Sequence, residues 1–277
     1  MNRLVAAIVL VFQFQVLPAV AQQNSGESVI PSKCIAMAMD LEDDGFGLIR
    51  YASYAVPAQT AVPEVTITYA GHSTYVIESP SGVRVATDFS GAYGSNPLPR
   101  VVTMNKAHST HFTRSPDPAI EIVLPGWNPD GGPAKHRVVV GDVYIRNVTT
   151  DIRSGFHVPE KDGNSIFIFE VADLCIGHLG HLHHALDDTH YAAIGRLDIV
   201  MVPVDGGLTL DHATISEITR RLQSSIVLPM HRRYSTIEGF LSGLRGDFAV
   251  KFESQRSITV SARTLPRRPT ILILEGL

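Results

Sequence analysis

Cys175-Ile176-Gly177-His178-Leu179-Gly180-His181-Leu182-His183-His184 puts four histidines into seven residues, directly behind a short apolar run that reads as a buried strand. Two other segments repeat that placement. Arg100-Val101-Val102-Thr103 is strand-like and runs into Met104-Asn105-Lys106-Ala107-His108-Ser109-Thr110-His111, and Ile226-Val227-Leu228-Pro229-Met230 ends on His231. Loops at the C-terminal ends of strands are where α/β architectures assemble their sites. Three strand ends carrying imidazoles therefore point to one shared centre. Gly155-Phe156-His157, ahead of the strand Ser165 to Val171, is a weaker fourth candidate.

Outward from these segments the chain reads as short strands, then as strands alternating with helices. Val65 to Tyr69, Thr74 to Glu78 and Val83 to Thr87 are β-rich and separated by Gly71-His72-Ser73 and Pro80-Ser81-Gly82. Arg137 to Val140, Val143 to Val148, Ser165 to Val171, Leu174 to Ile176 and Ile199 to Val204 follow. Ser225 to Leu228, Ala249 to Phe252, Ile258 to Ser261 and Ile271 to Leu274 close the set. Helices are expected at Asp187 to Ile194, from an Asp211 cap to about Gln223, and at Thr236 to Leu244. Two sheets with helices outside them, in one domain over 61–277, satisfy this order.

The 277 residues are 44% hydrophobic and 18% charged, enough for a large core and unlike a disordered chain. Lysine and arginine total 23 against 27 acidic residues, a net charge of −4, which argues against nucleic acid as the partner. Residues 1–21 have Arg3, an apolar run from Leu4 to Leu17 and Ala19-Val20-Ala21, the pattern of a cleaved secretion signal. The run is shorter than the ~20 residues of a spanning helix. A periplasmic or secreted protein is expected, with residues 22–60 as an N-terminal extension of unassigned task. Cys34 and Cys175 could pair in an oxidising compartment, but Cys175 in its apolar run is expected as a buried free thiol.

The order Tyr69-Ala70-Gly71-His72-Ser73, Val83 to Asp88, the His108/His111 turn, Asn164 to Glu170, His178-Leu179-Gly180, Pro203-Val204-Asp205-Gly206-Gly207 and Pro229-Met230-His231 resembles the metallo-β-lactamase-fold hydrolases. Within them it is similar to the small metal-dependent hydrolases related to the ascorbate-phosphate lactonases. The resemblance spans about Val65 to Leu277. It implies an αββα sandwich with a metal site at one edge and hydrolysis of a small-molecule ester, lactone, phosphoester or amide by a metal-activated water.

The departures from the family pattern are as informative. Where relatives read H-x-H-x-D-H, this chain has Lys106, His108, Thr110 and His111, and where they read H-L-G-D it has His181 in place of the aspartate. Carried over position by position, the metal ligands are His108, His111, His157, His181 and His231. His184 matches a substrate-orienting histidine, and Asp88 is expected to hold a ligand histidine in place. His72 is expected to close the Gly71-Ser73 turn rather than to line the site. Two divalent ions about 3.5 Å apart repel by about 19 kcal/mol at an effective dielectric of about 20. No carboxylate remains at the matched positions to offset this, so one ion, zinc by preference, is expected. Lys106 is expected to put its ammonium in the vacated first-metal pocket and act on the substrate. A catalytically silent protein that keeps the fold and binds a ligand or metal is the alternative.

Overall fold

The computed structural model describes residues 32–35, 62–153, 159–232 and 236–277. His157, the secretion signal and most of the N-terminal extension lie outside the described residues.

Two sheets form the body. The first has the order β13-β1-β2-β3-β4-β5, with β1 Val65–Gly71, β2 Thr74–Glu78, β3 Arg84–Ala86, β4 Val101–Met104, β5 Ile122–Pro125 and β13 Ser257–Val260. The second runs β12-β14-β11-β10-β9-β8-β7-β6. Its strands are β6 Arg137–Val140, β7 Val143–Arg153, β8 Pro159–Val171, β9 Leu174–His178, β10 Ile199–Pro203, β11 Ile226–Met230, β12 Ala249–Phe252 and β14 Thr270–Ile273.

The central strands β9, β10 and β11 of the second sheet are buried throughout and largely apolar because both of their faces are covered. Alternate residues of one strand go to different cores. Ile199 and Met201 of β10, Phe167 and Phe169 of β8, and Leu228 of β11 face Ile67, Tyr75 and Ile77 of the first sheet. Val200, Val202, Ile166, Ile168 and Val227 point the other way. There they pack under three helices, α1 Asp188–Ile194, α2 His212–Leu222 and α3 Glu238–Leu244. Ile215 and Ile218 of α2 supply the buried stripe, and Asp211 caps the helix by accepting from the Thr214 amide. The sandwich implied by the resemblance is thus present. Among the described residues, the outer face of the first sheet is covered by Phe89 and Ile120, with Phe112 and Trp127 against them, from loops.

Two features depart from the sequence reading. β5 was not expected, and β7 and β8 extend as a hairpin through Asp151 and through Glu160 to Asn164, beyond the expected strands Val143 to Val148 and Ser165 to Val171. Polar residues suffice there because the end of the hairpin is only partly buried, and a register shift between Thr150 and Ile152 accommodates Asp162 at φ 56°. The larger correction is at Cys175. It is disulfide-bonded to Cys34, 141 residues earlier, with 6.0 Å between Cα atoms. The apolar surroundings that suggested a free thiol belong equally to Cys34, which packs among the same buried residues. The Lys33 amide donates to Glu170 and the Arg196 amide to the Cys34 carbonyl, so Ser32 to Ile35 are fastened to the domain. In a chain-entropy account, closing so long a loop contributes up to about 5 kcal/mol.

Candidate metal centre

Parallel β9, β10 and β11 deliver their C-terminal ends to one edge, with Met201 level with His178 and Pro203 level with Met230. The first sheet meets that edge at the β1–β2 turn and behind β4. Direct ties lock the two sheets together there. The Tyr75 hydroxyl donates to the Pro229 carbonyl at 2.7 Å, His178 Nε2 to the Ser73 carbonyl at 2.8 Å, and the His231 amide to the His72 carbonyl at 2.8 Å. His178 is therefore a structural residue of the histidine-rich segment.

His72, His108, His111 and His231 converge, each offering a ring nitrogen within 4.8 Å of all the others. Two of the four are deeply buried and held by carboxylates. His111 Nδ1 donates to Asp88 Oδ2 at 2.7 Å, and His231 Nδ1 to Asp205 Oδ2 at 2.8 Å. In both rings Nε2 is enclosed and has no hydrogen-bond partner among the described residues. Burying such a nitrogen without a partner costs about 1–3 kcal/mol, and a metal ion is what an imidazole lone pair in this setting fits.

The carboxylates are themselves secured. Burial raises Asp88, but nearby His178 and His111 and the hydrogen bonds from His111 and Asn105 outweigh it and hold it below the ordinary carboxylate value. Asn105 donates to Asp88 Oδ1 at 2.7 Å and accepts the Ser165 amide at 2.7 Å, bridging the two sheets. Burial also raises Asp205, which the hydrogen bonds from His231 and Thr209 nevertheless hold well below its ordinary value. Its Oδ1 accepts the amides of Gly207, Leu208 and Thr209. Neither acid is left over to bridge a second ion.

The other histidines form a string. Thr110 Oγ1 lies 2.7 Å from His108 Nδ1 and 2.9 Å from His72 Nε2. His108 Nε2 meets His181 Nε2 at 3.1 Å, His181 Nδ1 meets His183 Nε2 at 2.8 Å, and the Arg153 amide donates to His183 Nδ1 at 2.7 Å. Burial and repulsion from neighbouring charges push His72, His181 and His183 off protonation. His72 falls to about 3 under burial and the charges of His231, His111 and His108. His183 falls to about 4 under burial and the Arg153 charge, and buried His181 lies well below its ordinary value. Gly180, at φ 64°, is required by crowding before His181. A Cβ there would come within 2.4 Å of both Asn105 Nδ2 and Asn164 Oδ1.

His108, His111 and His231 thus stand together. His72 joins them, although its turn conformation suggested a purely local role, and its φ of 53° is what turns the side chain inward. His231 at 54° and Asp88 at 44° share that left-handed backbone. His181 lies beside the four rather than among them. Lys106 is half-exposed, its ammonium paired with Glu160 and joined by no hydrogen bond to the cluster. His184 has an enclosed Nε2 without a partner. Asp205 went unassigned by sequence because Asp-Gly-Gly after a strand reads as a turn.

A family model for the β-lactamase superfamily domain matches residues 66–231. The chain belongs to that superfamily and has the metallo-β-lactamase fold. It is 25% identical over 181 residues to a metal-dependent hydrolase of Methanosphaerula palustris, covering 60% of this chain and 82% of the relative. Among solved structures it is similar to a candidate Zn-dependent hydrolase of the metallo-β-lactamase superfamily from Thermotoga maritima, with TM-score 0.53, 23% identity, and 76% and 98% of the two chains covered. A candidate metal-dependent hydrolase from Parabacteroides distasonis gives TM-score 0.53 at 15% identity, covering 66% and 90%. These two likenesses speak to the fold.

Proposed function

We propose that this protein is an exported hydrolase holding one divalent ion, zinc by preference, through His108, His111, His231 and His72. The observation that carries the reading is the pair of buried, partnerless Nε2 atoms of His111 and His231, each ring oriented by a buried carboxylate. When bound, the ion lowers the pKa of a coordinated water toward about 7 and polarises an ester, lactone, phosphoester or amide bond. The protein's own part is orientation. Asp88 and Asp205 fix two rings with Nε2 inward, and the Thr110 hydroxyl orients His108 in the same sense. Imidazoles without a free carboxylate suit a single zinc, with three of the rings and a water completing a tetrahedron or all four rings and a water a five-coordinate site, and a second ion would stand unscreened.

The Cys34–Cys175 disulfide supports export independently of the signal-like N-terminus, because such bonds persist in oxidising compartments. No helix among the described residues is long and apolar enough to cross a membrane. Elemental analysis of the purified chain should find about one ion per chain, and mass spectrometry of native material a start near Gln22. Protein that carries no metal after zinc loading and dialysis would sink the hydrolase reading. Two tightly held ions would sink only its stoichiometry.

A further inference from the structure

His181 occupies the position where relatives carry the aspartate of the H-L-G-D segment, and its surroundings differ from those of the three rings beside it. The Nδ1 atoms of His111, His231 and His108 each face an oxygen, from Asp88, Asp205 and Thr110. The Nδ1 of His181 faces another ring, and that ring is fixed by the main chain.

The polarity can be followed bond by bond. The Arg153 amide can only donate, so His183 Nδ1 is an acceptor and neutral His183 carries its proton on Nε2. That proton points at His181 Nδ1, which must accept it, leaving His181 with its own proton on Nε2. His181 Nε2–H then donates to His108 Nε2, and His108 Nδ1–H donates to Thr110. For His181 to offer an Nε2 lone pair, His183 must reverse too and its Nδ1 give up the Arg153 amide, even with the Leu208 carbonyl close to that ring. A ligand histidine ordinarily donates its other N–H to an acceptor, and His181 has no acceptor there.

We infer that His181 is not a metal ligand but a hydrogen-bond donor of fixed direction, and that it takes an anionic oxygen of the substrate beside the ion. This rests on the metal reading above at one point. Placing an ion on His108 Nε2 removes the acceptor that His181 uses in its absence. The His181 side chain is buried, so the N–H then needs a new oxygen inside the site. A carboxylate or phosphoryl oxygen meets that need, and an aspartate at this position would repel it. The substrate class that follows is one presenting an oxyanion at the reacting group or next to it. His183 and the Arg153 amide are positioning groups that keep the donor pointed inward.

Histidine 15N NMR of the metal-free protein should show His181 and His183 protonated on Nε2, and His111 and His231 on Nδ1. His181 found protonated on Nδ1 overturns the inference. In zinc titrations against a competing chelator, His181→Asn should stay within about threefold of the wild type, whereas His231→Asn should lose at least 100-fold. A loss in His181→Asn equal to that in His231→Asn makes His181 a ligand and ends the proposal. Inorganic phosphate should bind the zinc-loaded wild type about tenfold more tightly than zinc-loaded His181→Asn, and equal affinities would remove the donor role. His183→Glu offers an acceptor to both neighbours, so it should flip His181 to Nδ1–H and raise zinc affinity about tenfold. An unflipped ring in that variant refutes the control by His183. Failure of the wild type itself to bind zinc would overturn the metal reading instead, and the metal-free tautomers would still decide the direction of the string.

Discussion

His111 and His231 on one side, and the string from His72 through Thr110, His108 and His181 to His183 on the other, solve the same problem differently. The first two rings are tied to carboxylates that are themselves anchored by amides and side chains and closed off from solvent. The string is tied to a hydroxyl, to other rings and finally to a main-chain amide, and its His72 end is partly open. Carboxylate backing raises an imidazole's basicity and fixes its lone pair whatever else binds. Ring-to-ring backing only passes on a direction. The difference separates two rings whose lone pairs are fixed in advance from a string in which His72 and His108 would reach an ion only as their neighbours rearrange.

The largest effect should come from cutting the carboxylate side. Asp205→Ala and Asp88→Ala should each weaken zinc binding by about 10–100-fold. Each should also cost about 1–3 kcal/mol in chemical denaturation of the metal-free protein, because a buried ring N–H is left without its acceptor. Thr110→Val, the matching cut in the string, should change zinc affinity by less than tenfold. Equal losses on the two sides would erase the distinction.

Acid should reveal the string next. His183 is held at about 4 when folded against an ordinary 6.5, so between those values the unfolded chain takes up a proton that the folded chain refuses. Stability of the metal-free protein should therefore fall as pH drops from about 6.5 toward 4. Asp88 and Asp205, depressed in the folded state, should begin to add to the loss only below about pH 4. Denaturant midpoints measured across this range should decline less steeply in His183→Asn, and an unchanged slope would put the proton elsewhere. The smallest effect belongs to Lys106→Met, which breaks an exposed pair with Glu160. Metal content should be unchanged and stability within about 1 kcal/mol. Loss of metal would make Lys106 a ligand after all.

What the sequence exposed and what it hid follow one physical line. His108, His111 and His231 were legible because each sits where an apolar run stops, and strand ends are visible in a pattern of hydrophobicity. Asp88 was legible for the same reason. His72 and Asp205 were not, since a turn residue and a residue that also serves a site look alike until the turn's direction is known. The Cys34–Cys175 bond was hidden by its 141-residue separation and by a burial that suits thiol and disulfide equally. The direction of the His181 ring could not be read at all, because the amide of Arg153 that sets it belongs to the far end of β7.

His72, Asp88 and His231 stand in a left-handed backbone that costs a residue with a side chain about 1 kcal/mol or more. Anyone selecting this protein for heat tolerance alone should therefore be led astray. Glycine at the half-exposed His72 would relax the chain and register as an improvement while one ring of the centre disappeared, whereas at Asp88 and His231 the lost buried pair outweighs the relief. A thermostability screen run without a metal readout would enrich for sturdier proteins with an emptied centre. The fold and its chemistry pull in opposite directions at His72, so screens of this protein must score both.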